Sequence, residues 1–448
     1  MRARGGGARA DVSPERGAGA APHRPSAPGT SRRSFLRAAG ATGAGVLLSA
    51  AASAGWGGTA ASAAGRTRVH VLVVDGCGPD EITATGTPRL AALRDAGTWF
   101  PQARSLPVME TIPNHVMMMT GARPDRTGVP ANAVFDRALG EVRTLDRATD
   151  LRFPTLLERV RERGLTSASV LSKEYLYGVF GDRATFRWEP EPIVPVSGHA
   201  PDASTMDALL AMVDAADPDL CFTNLGDIDR MGHSDLTGTT LRAARGAALL
   251  STDRQVGRLV DHLVGRGLWE STVLVVLADH SMDWSYAWKT VSATEVLAAD
   301  PELVEHLAVA QNGGADLFSW TGPDVGRSAA LERAAALLRA HPGVLSVHAP
   351  AELRLGAEAG DLVAYCRAGW RFTDPTVVSN PIPGNHGHPA TEPIPFMVTG
   401  GSPLVRRGHV SSEPVRTVDV APTVGSLLGL GAPAGGYDGT ARTAAFVG

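Results

Sequence analysis

Short, mostly apolar runs at Val69 to Val74, Ser167 to Leu171, Leu220 to Asn224 and Thr272 to Leu277 each end in a cluster of Gly or polar residues. Runs of this length without strict alternation fit strands buried on both faces of a parallel sheet. Between them the pattern takes the helical period, over Thr87 to Ala96, over Asn114 to Thr120 after Thr111 and Pro113, and over about Thr240 to Gly265. Strand and helix signals alternating without a long linker predict an α/β fold, with a central, mostly parallel sheet flanked by helices. Beyond His280 the pattern changes. Leu317 to Trp320, Leu345 to His348 and Leu362 to Cys366 read as strands around a helix at Arg327 to Ala340. These form a small αβ unit inserted into the main one, and the chain then returns through Phe396 to Val398 and a final helix around Pro422 to Leu428. The predicted organisation is a leader over 1–63, a core over 66–285 and 384–445, and an inserted cap subdomain over 286–383.

Composition changes this picture at one end only. The first 64 residues hold eight Arg and two acidic residues, which leaves 34 basic against 44 acidic side chains afterwards. A remainder near −10 argues against stable nucleic-acid binding and gives no basic patch for a membrane surface. Within the leader, rich in Gly, Pro, Ala and Arg, the run SRRSFLR from Ser31 to Arg37 precedes a weakly apolar stretch from Ala38 to Ala54. Paired Arg before a modest apolar segment and small-residue cleavage sites resembles a twin-arginine signal. The expectation is an exported, extracellular or cell-envelope protein that uses the twin-arginine export machinery. Ala61-Ser62-Ala63 is the preferred cleavage site over Ala52-Ser53-Ala54, because strand-like sequence begins only at Arg68. A membrane anchor is the competing reading of this stretch, and no other segment is apolar enough to span a bilayer. Cys77, Cys221 and Cys366 are odd in number and widely spaced, so they read as core filler rather than a disulfide framework.

The chemistry lies where the apolar runs stop. Asp75 ends VHVLVVDG, Asp229 and His233 lie in NLGDIDRMGH, Asp279 and His280 end TVLVVLADH, and His386 lies in PIPGNHGHP. In open α/β sheets the strand carboxyl ends face a crevice, and reactive groups collect there. Asp229 and His233 are four apart and share a helical face, so they can hold one ion; Asp227, six from His233, fits that face less well. Mixed carboxylate and imidazole ligands without thiolate suit Zn²⁺ best, with Mn²⁺ or Fe behind it, and suit Ca²⁺ or Mg²⁺ less. Two such ions about 3.5 to 4 Å apart clamp the attacking and leaving oxygens of an in-line displacement. Thr111 in METIPNH supplies a nucleophile, and with no base beside it in sequence, metal activation is the economical reading. The competing reading of Thr111 is a helix N-cap. Of the other histidines, His115, His199, His262, His306, His341, His348 and His409 read as surface or structural.

VVDG, METIPNHVMMMTG, DRMGH, LADH and GNHGHP, in this order, resemble the alkaline phosphatase superfamily, most closely its type I phosphodiesterase/nucleotide pyrophosphatase branch, over about Val69 to Leu430. The resemblance implies one zinc on Asp229, His233 and His386, a second on Asp75, Asp279 and His280 with Thr111 bridging to it, and hydrolysis of a small phosphorylated substrate through a phosphothreonine intermediate. Asn132, in GVPANAVFD, matches the position of an amide that hydrogen-bonds a phosphate oxygen. A neutral donor there suits a singly charged diester. Departures bear on substrate: LSKEYLYG replaces the aromatic segment after the strand at Val170, and Lys173 resembles the substrate-binding lysine region of phosphonoacetate hydrolases. Lys173 is therefore expected over an anionic group of the substrate, with a surface lysine paired to Glu174 as the competing reading, and the region Trp284 to Pro383 is expected to shape the leaving-group pocket. Ser281 and His388 also depart from the family pattern, without removing a ligand. Carbon–phosphorus hydrolysis or monoester cleavage is the alternative chemistry, and an exported binding protein without turnover the alternative class.

Overall fold

β-branched and aliphatic residues facing both ways along Arg68–Val74 leave this strand no solvent-exposed position, which is what a central parallel strand requires. The computed structural model describes residues 66–190, 194, 197–373 and 383–447. The leader, with SRRSFLR and both small-residue sites, lies outside the described residues. In chain order the elements used below are β1 (Arg68–Val74), α1 (Pro88–Ala96), β2 (Thr98–Trp99), α2 (Thr111–Thr120), β3 (Ser167–Leu171), β4 (Phe186–Trp188), α3 (Asp202–Ala216), β5 (Leu220–Leu225), α4 (Asp227–Ser234), α5 (Ala243–Gly265) and β6 (Thr272–Leu277). They are followed by β7 (Leu307–Asn312), β8 (Ala315–Trp320), α6 (Arg327–Ala340), β9 (Val344–His348), β10 (Leu362–Cys366), β11 (Phe396–Thr399), β12 (His409–Val410) and α7 (Val420–Leu427).

The main sheet has eight strands in the order β12-β2-β11-β6-β1-β5-β3-β4. β1 pairs in parallel with β5 and β6, and β3 pairs in parallel with β5 and β4. β11 runs antiparallel to both its neighbours, β6 and β2. That single reversal matters for the site: the amino end of β11 lies level with the carboxyl ends of the parallel strands. The segment before β11, which carries His386, therefore enters the same crevice as the loops after β1, β3, β5 and β6. Register brings these ends together, with Val73 opposite both Asn224 and Leu277, and Leu171 opposite Asn224.

The second sheet, β7-β8-β10-β9, is antiparallel throughout. Its period-2 alternation divides the side chains between two cores. Leu317, Val363 and Tyr365 join the main core, while Phe318, Trp320, Ala364 and Cys366 pack with Ala330, Ala334 and Leu338 of α6. The described residues belong to one compact unit. Strands and helices in this region follow the expected boundaries closely. β7, α3 and the hairpin of Ala133–Asp136 with Glu141–Thr144 were not foreseen. All three cysteines are buried free thiols. No helix among the described residues is long and apolar enough to cross a membrane.

Arg245 of α5 fixes the crevice floor. It is 1% exposed and makes two 2.6 Å bonds to the Glu81 carboxylate while donating to Ile228 O and Gly76 O. One guanidinium fork thus ties the turn after Asp75 to the helix that carries Asp229, a geometry a lysine cannot reproduce.

Candidate active site

Tight turns aim the ligand-type side chains inward. Gly76 takes a φ of +74° directly after Asp75, and a Cβ there would come within 3.0 Å of the Asp229 Cβ. Its backbone N–H donates to Asp279 Oδ1. Gly384 allows a second close approach, because a Cβ at that position would lie 2.3 Å from Gly232 O. This contact lets the segment of His386 pack on α4 and lets Gly384 O accept from His233 Nδ1 at 2.9 Å.

Asp75, Asp229, His233, Asp279, His280, His386 and Thr111 all reach one centre. Asp229 Oδ1 lies 3.2 Å from His233 Nε2 and 3.8 Å from His386 Nε2. His280 Nε2 lies 3.3 Å from Asp279 Oδ2, 3.9 Å from Asp75 Oδ1 and 3.3 Å from Thr111 Oγ1. The tightest groupings differ from the expected division: Asp229 clusters with His280 and His386, and Asp75 with Asp279 and His115. His280 is thus central, its ring stacked on His386 at 3.7 Å, rather than confined to one side.

These residues fit metal ions. Each of the three imidazoles sets its Nδ1 against a backbone carbonyl: His233 on Gly384, His280 on Ser281 and His386 on Met109. A carbonyl only accepts, so Nδ1 carries the proton and every Nε2 presents a lone pair to the centre. Two of these, on His233 and His386, face one another at 3.1 Å, an approach that is favourable with a metal ion or a proton between them. The carboxylates repeat the pattern. Asp75 Oδ1, Asp229 Oδ1 and Asp279 Oδ2 are buried without a hydrogen bond among the described residues, and each such orphaned acceptor costs free energy until it is satisfied. Burial, and then the charge of Asp279, push the Asp75 carboxyl up to about 7. Burial pushes Asp229 the same way, yet Lys173, His233 and His386 together outweigh it and hold this carboxyl well below the usual carboxylate range.

Thr111 is the first residue of α2, and the extended residue before it, Glu110, occupies the N-cap position. The capping alternative for Thr111 is thereby displaced by one residue, and its hydroxyl is left facing His280. Asn114, of the same motif, braces the turn: it donates to Leu106 O, Val108 O and Glu110 O and accepts from Leu106 N and Thr417 Oγ1. Asn132 is held at both ends, its Oδ1 accepting from Ile112 N at 2.8 Å and its backbone N–H donating to Glu110 Oε2 at 2.7 Å. Its Nδ2 takes no hydrogen-bond partner among the described residues.

Lys173 is turned inward. Its ammonium is fully buried, 2.8 Å from Asp75 Oδ2 and 2.7 Å from Asp229 Oδ2, which excludes a surface lysine paired to Glu174. A point charge two residues beyond a strand end is pulled inward when two carboxylates wait there. Asp227 accepts from Asp202 N and lies 3.5 Å from His199, which leaves Asp229 alone at the centre. His388 pairs with Asp283 at 3.0 Å, away from the ligand cluster.

Two participants escaped the sequence reading. His115 is buried, its Nδ1 2.8 Å from Thr111 O and its Nε2 2.9 Å from Asn224 Nδ2; burial drives its imidazole down to about 4, so it is neutral. The same amide donates to Asp75 Oδ2 and accepts from Ser172 Oγ. The spacing of four between Thr111 and His115 on one helix, and a lone Asn closing an apolar strand, were the available signals.

A family model described as type I phosphodiesterase / nucleotide pyrophosphatase matches residues 69–388, well over half the chain. The chain belongs to that family. It is accordingly a member of the alkaline phosphatase superfamily and a hydrolase of the phosphodiesterase class. Among solved structures, murine ectonucleotide pyrophosphatase/phosphodiesterase 5, an inactive threonine-to-alanine variant in complex with AMP, aligns with a TM-score of 0.71 at 18% identity over 85% of this chain and 100% of that one. The human counterpart aligns with a TM-score of 0.70 at 18% identity, again over 85% and 100% of the two chains. At such identities the likeness carries the fold: a mostly parallel α/β core of the alkaline phosphatase type. The family assignment rests on the matched model.

Proposed function

We propose that this family member cleaves phosphodiester or pyrophosphate bonds of a small nucleotide-like substrate by transfer to Thr111 and then to water. The observation that carries the reading is the convergence of three proton-free Nε2 atoms and three orphaned carboxylate oxygens beside the Thr111 hydroxyl. Asp75, Asp229, His233, Asp279, His280 and His386 would hold two Zn²⁺ ions, which when bound lower the pKa of the Thr111 hydroxyl and neutralise charge on the phosphoryl group. The remaining work falls to this chain's own groups. Thr111 Oγ1 forms the bond to phosphorus while the bond to the leaving oxygen breaks; water then releases the phosphoryl group from Thr111. Asn132 Nδ2 donates to a non-bridging oxygen, and the N-terminus of α2 favours the negative charge there.

A diester is preferred over phosphonoacetate or a monoester because the donor assigned to the phosphate, Asn132, is a neutral amide and the one lysine nearby is committed to Asp75 and Asp229. The AMP bound to the murine neighbour supports a nucleotide as the substrate class. The second sheet with α6 would serve as the cap over the leaving group, since it enters and leaves the chain between His280 and His386.

The test is zinc-loaded protein against a chromogenic phosphodiester, a phosphomonoester and phosphonoacetate. The diester should be turned over fastest, and Asn132→Ala should lower kcat for it by about 10²- to 10³-fold, the usual effect of losing one oxyanion donor. A preference for phosphonoacetate, or an indifferent Asn132→Ala, would refute this assignment. We further propose export through the leader, on the strength of SRRSFLR: replacing Arg32 and Arg33 by Lys should leave the protein in the cytoplasm, and unchanged export would exclude the twin-arginine route.

A further inference from the structure

Among the described residues, one buried cation touches both halves of the ligand cluster. Lys173 Nζ contacts Oδ2 of Asp75 and Oδ2 of Asp229, and in both carboxylates the other oxygen, Oδ1, is the buried orphan. Asn224 Nδ2 adds a second bond to Asp75 Oδ2 at 2.7 Å. The lysine stem is confined, since a side chain at Gly226 would already press on its Cε at 3.3 Å. With 0% exposure the ammonium has no water to share its protons with, so its attraction for the two carboxylates is weakly screened.

We propose that Lys173 is a positioning residue that makes Asp75 and Asp229 single-oxygen ligands and ties the two metal subsites together. A carboxylate can close on an ion with one oxygen or with both. Where an ammonium owns Oδ2, only Oδ1 remains, and each ion keeps a low coordination number with a position open for a substrate oxygen. Because one Nζ spans both carboxylates, displacement of Asp75 on one side is transmitted to Asp229 on the other. The role parallels that of hydrogen-bonding partners that orient ligands elsewhere, but here it is performed by a full charge shared between subsites. It rests on the two-ion reading above.

Co²⁺ reports coordination number directly, because four-coordinate Co²⁺ absorbs visible light far more strongly than five- or six-coordinate Co²⁺. Protein stripped of metal and titrated with Co²⁺ should bind two ions and give intense bands. Lys173→Met should still bind Co²⁺ but with bands several-fold weaker, as the freed Oδ2 atoms enter the coordination shells. Its kcat should fall by similar factors for singly and doubly charged diesters, with little change in KM. Lys173→Gln provides a second neutral variant should Lys173→Met not fold. Unchanged bands in a folded neutral variant would overturn the inference. So would a loss confined to KM for the doubly charged diester, which would return Lys173 to substrate reading. If both variants unfold even in excess Co²⁺, the lysine is a stability element and the inference also falls. Wild-type protein that binds no pair of Co²⁺ ions would overturn the two-ion reading itself, so the two failures are told apart.

Discussion

Thr111→Ala is expected to lower turnover of a phosphodiester by about three orders of magnitude or more, since it removes the one nucleophile facing the centre. Folding should be nearly unaffected. Thr111 is 1% exposed, but among the described residues its hydroxyl makes no hydrogen bond to the helix that carries it, only the 3.3 Å approach to His280 Nε2. Glu110, not Thr111, occupies the N-cap position of α2, and Asn114 braces the turn, so Ala at position 111 leaves the helix start intact. Metal content should stay near that of the parent protein. The measurement is kcat with the true or chromogenic substrate alongside metal analysis and a thermal melt. Near-parental turnover in a fully metal-loaded variant would rule out attack by Thr111.

Chelation should have an effect of the same order on activity and a second, independent effect on stability. With two Zn²⁺ ions per chain removed, hydrolysis should fall to background and return on adding Zn²⁺. The stability change follows from mass action: an ion present at a hundred times its dissociation constant stabilises the folded state by about 2.7 kcal/mol. The melting temperature of stripped protein should therefore drop by several degrees and recover with the ion. The physical origin is the set of orphaned oxygens on Asp75, Asp229 and Asp279, which the bound ions would satisfy. Active protein that contains no bound metal would defeat the two-metal assignment.

Much of the parallel core was legible because its strands are buried on both faces. β3 and β6 match their apolar runs residue for residue, and α6 and β10 do likewise in the second sheet. Elements lacking that signature were missed. β7 reads LAVAQN with intermediate burial in part, and α3 begins with DASTMD, a polar start. In the site, residues whose role depends on a side chain ending where a strand ends were readable. Roles decided by electrostatic balance in three dimensions were not. Lys173 illustrates this: sequence places it beyond β3, but only the spatial proximity of Asp75 and Asp229 turns its ammonium inward. His115 was set aside because nothing in its neighbours in sequence announces Asp279 at 3.5 Å or Asn224 at 2.9 Å.

The reversed direction of β11 has a consequence for how the molecule is made. A nascent chain emerging from the ribosome presents Asp75, Thr111, Asp229, Asp279 and His280 in turn, yet His386 arrives only just before β11. Until β11 slots between β2 and β6, β6 remains an unpaired edge and His386 has no fixed place. The ligand set is therefore complete only once a non-local strand pairing has formed, because His386 is delivered by the segment that leads into β11.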